Sequence, residues 1–425
     1  MAKLLVEDQK TVADHLGSLE EREYAKKLVL YDDATHKRKT YYVMGPKKTP
    51  LYQTSLNHEK TIVADDYEQL IKTIRESIRE GGEWISKQEI KFDDLSGFRN
   101  IRTRIGIETD PQVNAEISAT CAELLSTLYS EGLINDLRRR ASDVVRRTID
   151  FVYSQRIEDK NTIAYRNPYV EGGPLCPKIT GGILQNLVCI EESNMLPDFH
   201  VPKDFKDKAC AFIEANLRTY VDQVISKKFT LMQDPLTTIV VSLLGYIKAK
   251  GKNSVYDSSF VREFFIELLK YQQGGGFRPR ISERTPPTIE HTAVVVFCLL
   301  DKDSMNLKTE EIKRIGLYES LKSARKFLAP KKGEKLLSSA HPVFPILRTH
   351  ALLLLGVHPC NRLVIRPSLQ SVLAQQRSGS WGDDVEQTHH VLAHLIWCYR
   401  IIKENIENPR IQWNRMKTFS EYITL

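Results

Sequence analysis

No apolar run in this chain is long enough to span a bilayer. The longest, such as Val294 to Leu300 and Ala351 to Leu355, fall far short of the ~20 residues a transmembrane helix needs. The start, Met1 to Asp8, lacks the apolar core of a secretory signal. The seven cysteines (Cys121, Cys176, Cys189, Cys210, Cys298, Cys360 and Cys398) are odd in number, scattered and without a C-x-x-C pair. That pattern argues against a disulfide framework and for reduced thiols in a cytoplasmic protein. One-sided charge is missing too. The net charge is +7 from 61 basic and 54 acidic residues, and Arg138-Arg139-Arg140 and Lys331-Lys332 lie beside acidic segments. Such a diffuse excess gives no expectation of a nucleic-acid partner.

What is present is a monotonous helix–loop–helix texture from Tyr67 onward. Residues 1–60 differ and read as an N-terminal extension. Thr11 to Val29 has the pattern of a charged amphipathic helix, and Thr40-Tyr41-Tyr42-Val43 that of a strand turning through Gly45-Pro46. Beyond it, the chain repeats. Thr120, Thr180, Thr238, Thr292, Thr349 and Thr388 each stand at the mouth of an apolar helix, at intervals of 60, 58, 54, 57 and 39 residues. A longer amphipathic helix precedes each one: Tyr67 to Arg79, Asn135 to Gln155, Lys203 to Ile225, Ser259 to Gln273, Tyr318 to Leu328 and Pro367 to Gln376. Ile239-Val240-Val241 and Val294-Val295-Val296 are β-branched, but no period-2 partner strand lies near, so helix is expected there.

Apolar helices alternating with amphipathic ones fit an inner ring and an outer ring. The expected fold is all-α: a six-unit (α/α)6 toroid over residues 67–405, with the extension before it and a tail at 406–425. An open solenoid of six pairs is the competing arrangement. Small or polar groups at the starts of the inner helices, and a Gly-and-Trp stretch in both end units, favour closure. These stretches are Gly81-Gly82-Glu83-Trp84 and Ser378-Gly379-Ser380-Trp381-Gly382.

Gln376-Arg377-Ser378-Gly379-Ser380-Trp381-Gly382 resembles the Gln-Trp repeat of terpene cyclases, and Tyr271-Gln272-Gln273-Gly274-Gly275-Gly276-Phe277 looks like the same turn with Phe for Trp. The glutamine is expected to end the outer helix and stack on a ring of the next unit. Thr288-Ile289-Glu290-His291-Thr292-Ala293 resembles the Asp-x-Asp-Asp-Thr-Ala stretch of squalene–hopene-type cyclases, with Glu290 at the position of the general acid. Asp384-Val385-Glu386-Gln387-Thr388 fits the same frame, with Glu386 at that position. The resemblance extends to protein prenyltransferase β subunits, whose zinc site joins Asp-x-Cys to His-Thr. His291-Thr292 matches the second half; Asp234-Pro235-Leu236 matches the first, with leucine in place of the thiolate.

The resemblance therefore implies an isoprenoid-handling cavity, with Glu290, Glu386, Asp384 and His291 as catalytic candidates. Arg278, Arg280 and Arg284 are candidates to hold a diphosphate. His350 and Trp381 would line the pocket, and His389, His390 and His394, with an i,i+4 pair among them, would offer metal ligands for Zn or Mg. Each has a structural reading as well: a helix N-terminal carboxylate, a solvated arginine loop, polar cavity-lining histidines. The ligand is then an apolar or prenyl diphosphate-like molecule. The alternative is a catalytically silent toroid that binds a protein or peptide through its rim.

Overall fold

The apolar runs fold as helices, the β-branched ones included. The computed structural model describes residues 25–32, 37–44, 50–99, 113–134, 138–168, 173–226, 234–281, 285–301, 303–329, 341–357 and 364–407. In chain order the helices are α1 (Pro50–Lys87), α2 (Ala115–Ser130), α3 (Arg138–Ser154), α4 (Pro177–Glu192), α5 (Lys203–Ser226), α6 (Pro235–Lys250) and α7 (Ser254–Asp257). They continue as α8 (Ser259–Leu269), α9 (Ile289–Leu300), α10 (Thr309–Arg314), α11 (Tyr318–Leu328), α12 (Val343–Leu354), α13 (Ile365–Ala374) and α14 (Val385–Glu407). Strand content among the described residues is confined to two-stranded hairpins. The first pairs β1 (Ala25–Asp32) with β2 (Lys37–Met44), and the others are short: β3 (Ile90–Phe92) with β4 (Leu95–Gly97), β5 (Ile157–Glu158) with β6 (Ile163–Ala164), β7 (Gln272–Gln273) with β8 (Gly276–Phe277). The protein is thus all-α in its body, and no helix among the described residues is long and apolar enough to cross a membrane.

The apolar helices pack against one another in succession: α2 on α4, α4 on α6, α6 on α9, α9 on α12, α12 on α14, and α14 on α2. The amphipathic helices lie against them, α1 on α14, α3 on α2, α5 on α4 and α6, α8 on α6, α11 on α9 and α13 on α12. Glycine sets the tightest of these approaches. A Cβ on Gly245 of α6 would stand 2.1 Å from the Gly181 carbonyl oxygen of α4, so only hydrogen fits at that crossing.

A recurrent joint links each short hairpin to the helix that follows. Phe98 and Tyr165 follow a hairpin, Phe277 ends β8, Trp381 follows the Arg377–Ser380 bridge, and all are essentially excluded from solvent. Their backbone N–H groups donate to Ser118 Oγ (2.9 Å), Thr180 Oγ1 (3.1 Å), Thr292 Oγ1 (2.8 Å) and Thr388 Oγ1 (3.0 Å). These four hydroxyls all sit in the first turns of the apolar helices α2, α4, α9 and α14. In the first unit the equivalent residue is therefore Ser118, not Thr120; Thr120 Oγ1 instead accepts from Asn186 Nδ2 at 3.1 Å.

The glutamines bind neighbours through hydrogen bonds of their amides. The Gln272 amide accepts from Ser320 Oγ at 2.8 Å and donates to the Ser320 carbonyl at 2.8 Å. Gln376 repeats this on α1, accepting from Ser77 Oγ at 2.5 Å and donating to the Ser77 carbonyl at 2.9 Å. Each two-residue turn then rests on the same neighbour. Gly275 (φ +89) and Gly379 (φ +88) are left-handed, and a Cβ on either would lie 2.7 Å from a carbonyl oxygen of the next outer helix, Ser323 or Glu80. With Gly274 and Ser378 also at positive φ, these are type I′ turns. Elsewhere an ion pair takes over the link: Arg147 of α3 to Glu89 (2.6 Å) and Lys208 of α5 to Glu158 (2.8 Å).

Three expectations need correction. Gly81-Gly82-Glu83-Trp84 is not a turn: α1 continues through it, because Gly81 and Gly82 abut Leu392 and Leu128, where a Cβ would come within 2.5 and 2.7 Å. Helix α1 also starts at Pro50, well before Tyr67. Ala25 to Val29 is strand rather than the end of a helix; Thr40 to Val43 is strand as expected and pairs with it, and the expected turn at Gly45-Pro46 lies outside the described residues. The expected helix from Thr11 to Tyr24, and the tail beyond Glu407, lie outside the described residues.

Candidate functional site

The carboxylates marked by the resemblance sit at helix starts. Glu290 is an exposed residue in the first turn of α9. Asp384 accepts from the Gln387 N–H at 2.7 Å and so caps α14. Glu386 is largely buried, with His390 Nε2 3.9 Å away. His291 is held on both nitrogens, Nδ1 2.6 Å from Thr288 Oγ1 and Nε2 3.3 Å from Asp234 Oδ2. Asp234 and His291 are thus neighbours, as the zinc-site resemblance requires. The third ligand position is Leu236, fully buried and without a donor atom, so this group does not fit zinc.

The remaining expected residues separate. Arg278 is a clamp on its own hairpin, donating to Gln273 Oε1 (3.4 Å) and the Lys270 carbonyl (3.3 Å). Arg280 is half-buried in the loop after that hairpin, and Arg284 lies outside the described residues. Trp381 is a core residue whose indole N–H donates to the Val372 carbonyl at 2.8 Å. The histidines of α14 do not converge as ligands. His390 is about half exposed beside Glu386, while His394 is buried and turned to α12, its Nδ1 3.2 Å from His350 Nδ1. His389 is buried with no partner for Nε2, and burial drives its imidazole well below the usual range. Among the described residues, no three of His, Cys, Asp or Glu are placed to hold a metal ion.

The structure gathers a different set at the C-terminal ends of the apolar helices. A cavity of about 580 Å³ opens where α2, α4 and α6 terminate, beside the loop after α9 and the middle of α14. Glu123 of α2 lines it and is only 7% exposed. Its Oε1 accepts from Thr127 Oγ1 at 2.8 Å, one turn along the same helix. Burial, reinforced by the nearby Asp303, pushes its carboxyl up to about 7, with the Thr127 bond, Arg400 and Lys248 pulling the other way. Arg400 of α14 binds Asp303 and, at 2.7 Å, Glu131. Lys248 of α6 pairs with Glu192 at 2.7 Å, and Lys252 donates to the Asn306 carbonyl at 2.8 Å. Cys189 also lines the cavity, its thiol pushed up chiefly by burial.

Behind one wall lies a buried polar array. His350 Nε2 is 3.1 Å from Asp301 Oδ2, and its other nitrogen faces His394. Trp397 stacks on His350 with ring centroids 5.0 Å apart, and Phe297 packs on Trp397 at 4.6 Å. The Trp397 indole N–H donates to Asp303 Oδ2 at 3.2 Å, which joins the array to the cavity. Desolvation, with the neighbouring His350 next, holds the His394 imidazole well below its usual range, so His394 is neutral at physiological pH.

Of the described residues expected from sequence, none lines this cavity; His350 is joined to it through Trp397 and Asp303. The signal for Glu123 was available: it is a lone carboxylate within Cys121-Ala122-Glu123-Leu124-Leu125, an apolar stretch of an inner helix. No comparable signal existed for Asp303 or Arg400, which only the packing of α9 and α14 brings together. No protein-family model matches the chain, and no curated protein matches it.

Proposed function

We propose that this chain is an (α/α)6 toroid that binds a polar small molecule in the cavity at the C-terminal ends of its inner helices. The toroid reading is supported by the run of helix contacts from α2 to α14 and back to α2, with the outer helices tied by Gln272–Ser320 and Gln376–Ser77. The observation that carries the function is Glu123. A carboxyl that is more than nine-tenths buried, faces a cavity and sits near neutrality is able to donate or accept a proton at physiological pH. Asp303, Glu131 and Arg400 form a fixed charged frame beside it. Pockets that combine a few convergent polar groups with a perturbed carboxyl are the usual places for ligand chemistry.

Isoprenoid handling is the second reading. It is supported by the two Gln-and-glycine turns and by the closeness of His291 to Asp234. The two readings require different ligands. A thermal-shift screen should include polar metabolites and prenyl diphosphates, run on wild-type protein and on Ser130→Trp, which sets a bulky ring in the cavity lining. The cavity reading expects a polar compound that raises Tm in wild type and not in the filled variant. Stabilisation by prenyl diphosphates alone, unaffected by Ser130→Trp, would overturn it in favour of the isoprenoid reading.

A further inference from the structure

We infer that the cavity takes an organic ammonium ligand, such as a short alkyl diamine, and not a phosphate-bearing one. The inference rests on the cavity reading above and names the ligand class for that site. Three observations support it. First, each cation lining the cavity already has a partner: Arg400 holds Asp303 and Glu131, Lys248 holds Glu192, and Lys252 holds the Asn306 carbonyl. An anion would have to displace one of these. Second, among the described residues Glu123 hydrogen-bonds only to a hydroxyl on its own helix, Thr127 Oγ1, and forms no ion pair with them. Third, the cavity is bordered by the C-terminal ends of α2, α4 and α6, at Ser130, Glu192 and Gly251. Helix C-termini carry partial negative charge and favour cations.

A protein carboxylate and an alkylammonium attract strongly when water is excluded, and an ion pair across a buried wall is screened far less than one on the surface. The groups that face Glu123 are Thr127 on its own helix, Asp303 from the loop after α9, Arg400 from α14 and Lys248 from α6; the Cys189 thiol of α4 lies within its field. Binding an ammonium group favours the ionised carboxylate, so affinity rises with pH through the Glu123 titration. The amines of an alkyl diamine stay protonated across the same interval, as a lysine does.

Isothermal titration calorimetry with 1,5-diaminopentane tests this, with pyrophosphate as the anionic probe. The diamine is expected to bind wild-type protein at pH 8 and about tenfold more weakly at pH 6. Glu123→Gln should weaken binding at pH 8 by tenfold or more and flatten that pH dependence, and Ser130→Trp should abolish it. Pyrophosphate should not bind. The pH comparison uses wild-type protein alone, so it decides the matter even where a variant fails to fold. Pyrophosphate binding that Ser130→Trp removes, with no diamine binding, overturns the ammonium assignment and leaves the cavity reading standing. Diamine binding that survives Ser130→Trp overturns the assignment as a surface effect. If neither probe binds and no polar compound shifts Tm selectively, both readings fall together.

Discussion

Glu123 shows what one side chain costs and offers. In the unfolded chain its carboxyl has an ordinary value of 4.5; in the folded cavity it is pushed up to about 7. The folded state therefore holds the proton more tightly, and stability is lost as pH rises from about 4.5 to about 7. Above that the penalty is complete, on the order of 3 kcal/mol. Glu123→Gln keeps the shape and the Thr127 contact but removes the ionisation. Urea unfolding should show the variant gaining up to about 3 kcal/mol over wild type at pH 8, with the difference vanishing towards pH 4.5. A gap independent of pH would mean that Glu123 is not the titrating group. His394 and His389 work in the opposite sense. Their depressed imidazoles contribute stability above the ordinary 6.5 that is lost as pH falls below it.

Among the elements, the hairpin joints explain most of what the motif residues do. Gln272 and Gln376 face Ser320 and Ser77, and the glycines beside them let the turn backbone reach the next outer helix. Gly275→Ala and Gly379→Ala each combine a left-handed backbone with a Cβ 2.7 Å from a carbonyl oxygen. Each should cost about 2–3 kcal/mol by chemical denaturation. Gly274→Ala shares the positive φ but meets nothing within 4 Å, and should cost about 1 kcal/mol. Equal losses at all three positions would show that backbone conformation alone, and not the close approach, governs the joint. The paired Ser and Thr hydroxyls of the next helix complete the device. They accept the backbone N–H of the aromatic residue; Thr180 and Thr292 donate to the Cys176 and Thr288 carbonyls at 2.9 and 2.7 Å, while Thr388 donates to the Trp381 carbonyl at 3.4 Å.

For the whole molecule, the contacts that bear on the proposed ring are those joining its first and last helices. Gln376 and Ser77 are separated by 299 residues, and α14 packs on both α1 and α2. In an open repeat array the end units contact one neighbour and fray first. The toroid proposed above has no end unit. Native-state hydrogen exchange should therefore give α2 and α14 protection comparable to that of α4 and α6. Gln376→Ala should lower protection in α1 and α14 together. Exchange of α2 and α14 that is fast in wild type, with α4 and α6 slow, would mark an open array.

Much of the helical body could be read from the chain, because a 3.6-residue apolar period and punctuating glycines are local properties. The order of amphipathic and apolar helices, the helical state of Val294-Val295-Val296, and the turn at Ser378-Gly379 all followed from that. Gly81-Gly82 misled because glycine at a tight helix crossing and glycine in a turn look alike in sequence; only the Leu392 and Leu128 side chains tell them apart. The site was hidden for a related reason. The recognisable motifs lie at the starts of apolar helices, where Glu290 and Asp384 sit. The perturbed carboxyl lies towards the other ends, where Glu123, Asp303 and Arg400 arrive from separate elements. Sequence determined which segments are helical and where the chain turns. Tertiary packing alone decided which charges share a cavity, because desolvation and charge pairing depend on neighbours that no local pattern specifies.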